Sequence, residues 1–104
     1  MMKTIMLVCS AGMSTSLLVT KMEAAAKERN LEAEIFAVSA SEADNQLASK
    51  EIDALMLGPQ VRFMLKQFED KVAGKVPVTV INMADYGMMN GEKVLDQAIA
   101  LMEG

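Results

Sequence analysis

Four apolar runs of strand length alternate with stretches of helical character, and this alternation limits the possible folds more than any other feature of the chain. The runs are Thr4 to Val8, Ala33 to Val38, Ile52 to Leu57 and Val76 to Ile81. Each is too short for a core helix and far short of the roughly 20 apolar residues that cross a bilayer. Ile5-Met6-Leu7-Val8 is apolar at every position, the pattern of a parallel-sheet strand covered on both faces. The first run is followed by a helical stretch with apolar positions at Leu17, Leu18, Met22, Ala25 and Ala26, ending near Asn30, for which Ser14 or Thr15 can serve as cap. Ser39 to Ser49 reads as a short helix with Ser41 as cap and a thin apolar face. Gly58-Pro59 closes the third run, and Pro59 suits the first turn of a helix from Gln60 to about Val72. Pro77 stands near the start of the fourth run, where a missing N–H costs least. A loop over Asn82 to Gly91 then leads to a helix from Glu92 to Met102.

The order β-α-β-α-β-α-β-α predicts an α/β fold: an open four-stranded parallel sheet in spatial order 2-1-3-4, with right-handed crossovers and helices on both faces. Ligands of such sheets bind at the carboxyl ends of the strands, beside the switch point between strands 1 and 3. Three loops should meet there: Cys9 to Ser16, Gly58-Pro59-Gln60 and Asn82 to Gly91.

Several counts exclude whole classes of function. At 104 residues the chain is read as one domain spanning 1–104. It contains no histidine, which removes Ser-His-Asp and Cys-His catalysis, histidine metal sites and any phosphohistidine within the chain. The net charge of −4 comes from acidic and basic residues mixed along the sequence, so no Lys/Arg patch for nucleic acid is visible. The aspartates show no metal-ligand spacing, and neither a metal nor a cofactor is expected. Met1-Met2-Lys3-Thr4 runs straight into the first strand without a signal-peptide pattern, and the single cysteine suits a reducing compartment. These features predict a cytoplasmic protein.

That cysteine, Cys9, stands between the first strand and the loop Ser10-Ala11-Gly12-Met13-Ser14-Thr15-Ser16. A strand that passes through a glycine-containing loop into a helix leaves backbone N–H groups unpartnered at the positive end of the helix dipole, which suits a dianion. The same field favours a thiolate and so a nucleophile. The plain alternative is a buried cysteine acting as a small hydrophobe. Position weighs against it, because a short βα connection does not need so many small and hydroxyl residues, and one helix cap uses only one of them. The loop is neither a Walker A motif nor a Rossmann fingerprint. Met13, Met83, Met88 and Met89 fall in the expected site loops, where exposed methionine forms an adaptable docking face. Tyr86 either packs its ring against the cysteine loop or bonds a bound phosphate, with packing the favoured role.

The loop resembles the Cys-x5-Arg-Ser/Thr loop of the low-molecular-weight tyrosine phosphatases, but the arginine position falls on Thr15. Without a guanidinium to clamp the phosphoryl group, and with Asp85-Tyr86 where an Asp-Pro acid would stand, hydrolysis is poorly served. The architecture to expect is flavodoxin-like and low-molecular-weight-phosphatase-like. Over essentially its full length the chain resembles the IIB component of the lactose/cellobiose/chitobiose group of the sugar phosphotransferase system. The resemblance rests on Val8-Cys9-Ser10-Ala11-Gly12-Met13-Ser14-Thr15-Ser16-Leu17-Leu18-Val19, Leu57-Gly58-Pro59-Gln60-Val61, and Tyr86-Gly87 before Gly91-x-x-Val94-Leu95. It implies transfer of a phosphoryl group from the phosphohistidine of a IIA protein to Cys9, and then to a β-linked disaccharide taken up through the membrane-embedded IIC component. By matching positions, Ser10 to Ser16 form the phosphate-binding loop, and Gly58, Pro59 and Gln60 shape the loop beside it. Nothing demands more than a monomer. Two rival readings are a degenerate phosphatase or arsenate reductase, and an anion- or flavin-binding module in which Cys9 is incidental.

Overall fold

The computed structural model describes residues 2–9 and 13–103. Its elements run β1 (Lys3–Cys9), α1 (Met13–Glu28), β2 (Ala33–Ser39), α2 (Ala40–Ser49), β3 (Ala54–Leu57), a 3₁₀ helix (Pro59–Met64), α3 (Leu65–Val72), β4 (Val78–Val80), α4 (Met83–Gly87) and α5 (Gly91–Glu103). The strands form one parallel sheet in the expected order, β2-β1-β3-β4.

β1 is central because its side chains are apolar in both directions. Ile5 and Leu7 face a core built with Leu18, Met22 and Ala25 of α1 and Val94, Leu95 and Ala98 of α5. Met6 and Val8 face the opposite core, with Ala43 of α2, Val61, and Phe68 and Val72 of α3. This is the two-residue alternation of a strand, with both faces covered. Each such side chain taken out of water contributes about 1.5–3 kcal/mol, so the strand that ends in Cys9 is among the most firmly held parts of the molecule. Leu18, Met22, Ala25 and Ala26 follow the i, i+4, i+7, i+8 spacing of one helix face, all buried. Leu17 lies off that stripe and is half exposed.

Several local expectations need correction. α1 starts at Met13, so Thr15 lies within its first turn and does not cap it. α2 starts at Ala40 after Ser39, which makes no side-chain capping bond; Ser41 instead shares a hydrogen bond with the Ser39 hydroxyl (3.0 Å). The stretch after Gly58 is not one α-helix but a 3₁₀ segment with non-helical backbone at Val61, followed by α3. β3 and β4 are shorter than their apolar runs. Pro77 stays outside β4 and offers its carbonyl to the N–H of Leu55 (3.0 Å). The expected loop from Asn82 contains α4, started by the Asn82 side chain, which accepts from the N–H groups of Ala84 and Asp85 at 3.0 and 3.2 Å.

Candidate functional site at the carboxyl edge of the sheet

Cys9 is the last residue of β1, paired in register with Ser39 of β2. The strand's alternation puts it on the side of α1 and α5, and its side chain is 1% exposed. Gly58 closes the other flank. Its N–H donates to the carbonyl of Val8 (2.8 Å), and a β-carbon built on it would stand 3.6 Å from that of Cys9. Cys9 thus has β2 on one side and the start of the Gly58 segment on the other, and its side chain is buried. Ser10, Ala11 and Gly12, and the side chains of Met13 and Ser14, lie outside the described residues.

Thr15 and Tyr86, 71 residues apart in sequence, meet here. The Thr15 hydroxyl, 1% exposed, shares a hydrogen bond of 3.2 Å with the Tyr86 hydroxyl. The same Tyr86 oxygen accepts from Nε2 of Gln60 at 3.2 Å. One phenol oxygen therefore joins α1, the 3₁₀ segment and α4. The ring of Tyr86 is packed in the core with Leu95 and Val94, so it has both a packing and a polar role. α4 is in turn tied to its surroundings through Gln97 of α5. That side chain accepts from the N–H of Asn82 (3.0 Å) and donates to the carbonyl of Val80 (2.9 Å). Ser16, the last loop residue of the expected site, is exposed, and its carbonyl accepts from the Thr20 hydroxyl at 3.1 Å.

Beside this junction lies an open cleft of about 680 Å³, lined by Pro59, Gln60, Arg62, Phe63, Met83, Tyr86 and Gly87. Of the methionines considered for a docking face, Met83 and Met88 are strongly exposed, while Met89 packs against the core. Arg62 and Phe63 were not legible as site residues, because a regular helix from Gln60 would have distributed them around its axis. Phe63 is 79% exposed, an unusual place for a phenylalanine. Among the described residues no group of His, Cys, Asp or Glu side chains could hold a metal ion. No described helix is long and apolar enough to cross a membrane.

The fold and the site define a doubly wound α/β domain whose lone cysteine ends β1, an interior strand of the sheet, four residues before the start of α1. The family described as "PTS system, Lactose/Cellobiose specific IIB subunit" matches residues 4–97, and the chain belongs to that family. It is thus a IIB component of a sugar phosphotransferase system, a class of phosphotransferase components that works with IIA and IIC partners. It is 54% identical over 105 residues to the galactose-specific EIIB component of Lactococcus lactis subsp. cremoris (strain MG1363), with 96% of each chain covered. It is 53% identical to the cellobiose-specific EIIB component of Lactococcus lactis subsp. lactis (strain IL1403), again with 96% of each chain covered. The oligo-beta-mannoside-specific EIIB component of Bacillus subtilis (strain 168) is 43% identical, with 97% of each covered. Among solved structures, that of the cellobiose-specific phosphotransferase IIB component from Borrelia burgdorferi superposes with a TM-score of 0.79 at 41% identity, covering 99% of this chain and 94% of that one. The lactose-specific IIB domain from Streptococcus pneumoniae gives 0.84 at only 12% identity, covering 96% and 97%, a likeness of fold alone.

Proposed function

We propose that Cys9 is the phosphoryl-carrying residue of this IIB component, loaded by the phosphohistidine of a IIA protein and discharged onto a β-linked disaccharide entering through IIC. The observation that carries the reading is the position of the chain's single cysteine, at the carboxyl end of the central strand and four residues before α1, in a member of the IIB family. The chain has no histidine, so the donor imidazole belongs to another protein. In the loading step the Cys9 thiolate attacks phosphorus in line; the P–S bond forms as the P–N bond breaks, and the electron pair leaves on the donor nitrogen. In the second step the sugar hydroxyl attacks phosphorus, its proton is released, and the sulfur departs as thiolate. Such transfers depend on positioning and on charge stabilisation. The backbone N–H groups of Ser10, Ala11, Gly12, Met13, Ser14, Thr15 and Ser16, with the hydroxyls of the three serines, form the phosphate cradle, and Gly58, Pro59 and Gln60 bound it on the β3 side.

Relatives 54 and 53% identical to this chain carry galactose and cellobiose in their names, so overall identity does not single out one sugar for this chain. That supports selection of the disaccharide mainly by IIC. We read the chain as one domain over 1–104, working as a cytoplasmic monomer at the inner face of the cell membrane without cofactor. The test is a reconstituted relay from phosphoenolpyruvate to sugar. Cys9→Ser should abolish sugar phosphorylation in protein shown by circular dichroism to be folded. A Cys9→Ser protein that still passes phosphate to sugar would overturn the assignment.

A further inference from the structure

We infer that Tyr86 is a positioning residue for the phosphoryl site: its hydroxyl, held between Gln60 and Thr15, fixes the first turn of α1 in the orientation that receives a phosphoryl group on Cys9. The inference deepens the carrier reading and rests on it.

The first residues of a helix have N–H groups without intrahelical partners, and where these point depends on how the first turn is set. In α1 that turn begins at Met13, four residues after Cys9. A threonine at a helix start commonly turns its hydroxyl back onto the local backbone as a cap. Thr15 instead lies inside the first turn with its hydroxyl buried and bonded to a residue from the far end of the chain. Its partner is rigidly mounted. The Tyr86 ring is locked in the core, α4 is begun by Asn82, and Asn82 is held by Gln97 of α5. Gln60, donating to the same oxygen, fixes it from the third side and belongs to the segment that starts beside Cys9 at Gly58. A single oxygen thus ties the first turn of α1 to both neighbouring loops. Removing it leaves the Thr15 hydroxyl buried without its partner, and the turn must shift to satisfy it.

The experiment measures steady-state phosphoryl flow from the phosphorylated IIA protein to sugar, with IIC in excess and the IIB component limiting, for wild type, Tyr86→Phe, Thr15→Val and the double variant, with the folded fraction of each followed by circular dichroism. Tyr86→Phe keeps the ring in the core, leaves Phe63 and Met83 unchanged, and removes only the hydroxyl shared with Thr15 and Gln60. We expect kcat to fall roughly 10-fold or more with KM for the donor unchanged, as for a small misplacement of reacting groups. Thr15→Val should lose a similar factor, the double variant no more than either single one, and Thr15→Ser should recover most of the loss. A Tyr86→Phe protein with wild-type kcat, or losses that multiply in the double variant, would overturn the inference. So would a fall in kcat that merely follows the folded fraction. If wild type itself takes no phosphoryl group, the carrier reading fails and this inference with it; if wild type is loaded and Tyr86→Phe is equally fast, only the inference fails.

Discussion

Gly91→Ala should destabilise the protein by about 2 kcal/mol, even though it replaces a helical glycine by the best helix former. A β-carbon built on Gly91 would stand 2.5 Å from the backbone carbonyl carbon of Lys21 and 2.7 Å from its oxygen and β-carbon. Ordinary contact for such atoms begins near 3.4 Å, so α5 would have to retreat from α1 by about 0.9 Å, the difference between 3.4 and 2.5 Å. The obstructing atoms are mainly helix backbone, which cannot swing aside as the end of a long side chain can. The retreat would open the seam where Val94, Leu95 and Ala98 meet Leu18, Met22 and Ala25, all buried. Overpacking of this kind costs typically about 1–3 kcal/mol. The opposing gain from replacing glycine is roughly 0.5–1 kcal/mol in a helix interior and less at its first residue. The clash therefore wins. For a domain of this length the midpoint of thermal unfolding should fall by about 10 °C, read by circular dichroism or calorimetry. Gly87→Ala is the matched control, because nothing lies within 4 Å of its added methyl. A Gly91→Ala protein as stable as wild type, or as Gly87→Ala, would refute the argument that this glycine is required by the α1–α5 approach.

Three further outcomes follow from the packing and the caps. Phe68→Ala should cost about 3–5 kcal/mol, since the ring is fully buried between α3 and the even-numbered face of β1; urea unfolding measures it. Asn82→Ala removes the cap of α4 and should cost about 1 kcal/mol in the same assay. Asp96→Ala should change stability by less than about 1 kcal/mol, because the Arg29–Asp96 pair lies at the surface, where solvent and salt screen it.

The strands were legible because their burial is written in residue type. Ile5-Met6-Leu7-Val8 reads as a strand covered on both faces and Ile52 to Leu57 as a strand closed by Gly58-Pro59, and the sheet order followed from β-α alternation and crossover handedness. Cys9 could be placed for the same reason, since the end of a central strand is a fixed point of the fold. Local hydrogen bonding was harder to read. Serine and threonine near a helix start are interchangeable as cap candidates by type; Ser41 falls inside α2 and bonds Ser39, and a tertiary contact takes Thr15. α4 is five residues long, too short for a periodic signal, though Asn82 before Met83-Ala-Asp85 was a usable start signal. The 3₁₀ form of Pro59–Met64 brings Gln60 to Tyr86 and leaves Phe63 exposed, and no residue type announces it. The Thr15–Tyr86–Gln60 junction lay beyond reach altogether, because a contact between residues 71 positions apart is a product of the completed fold.

The central claim is that Cys9 carries the phosphoryl group, and intact mass tests it most directly. Wild type and Cys9→Ala are incubated with phosphoenolpyruvate and the upstream phosphotransfer proteins, then weighed without acid treatment. The account predicts a gain of one phosphoryl group on wild type and none on Cys9→Ala. A gain on both, or on neither, would contradict it.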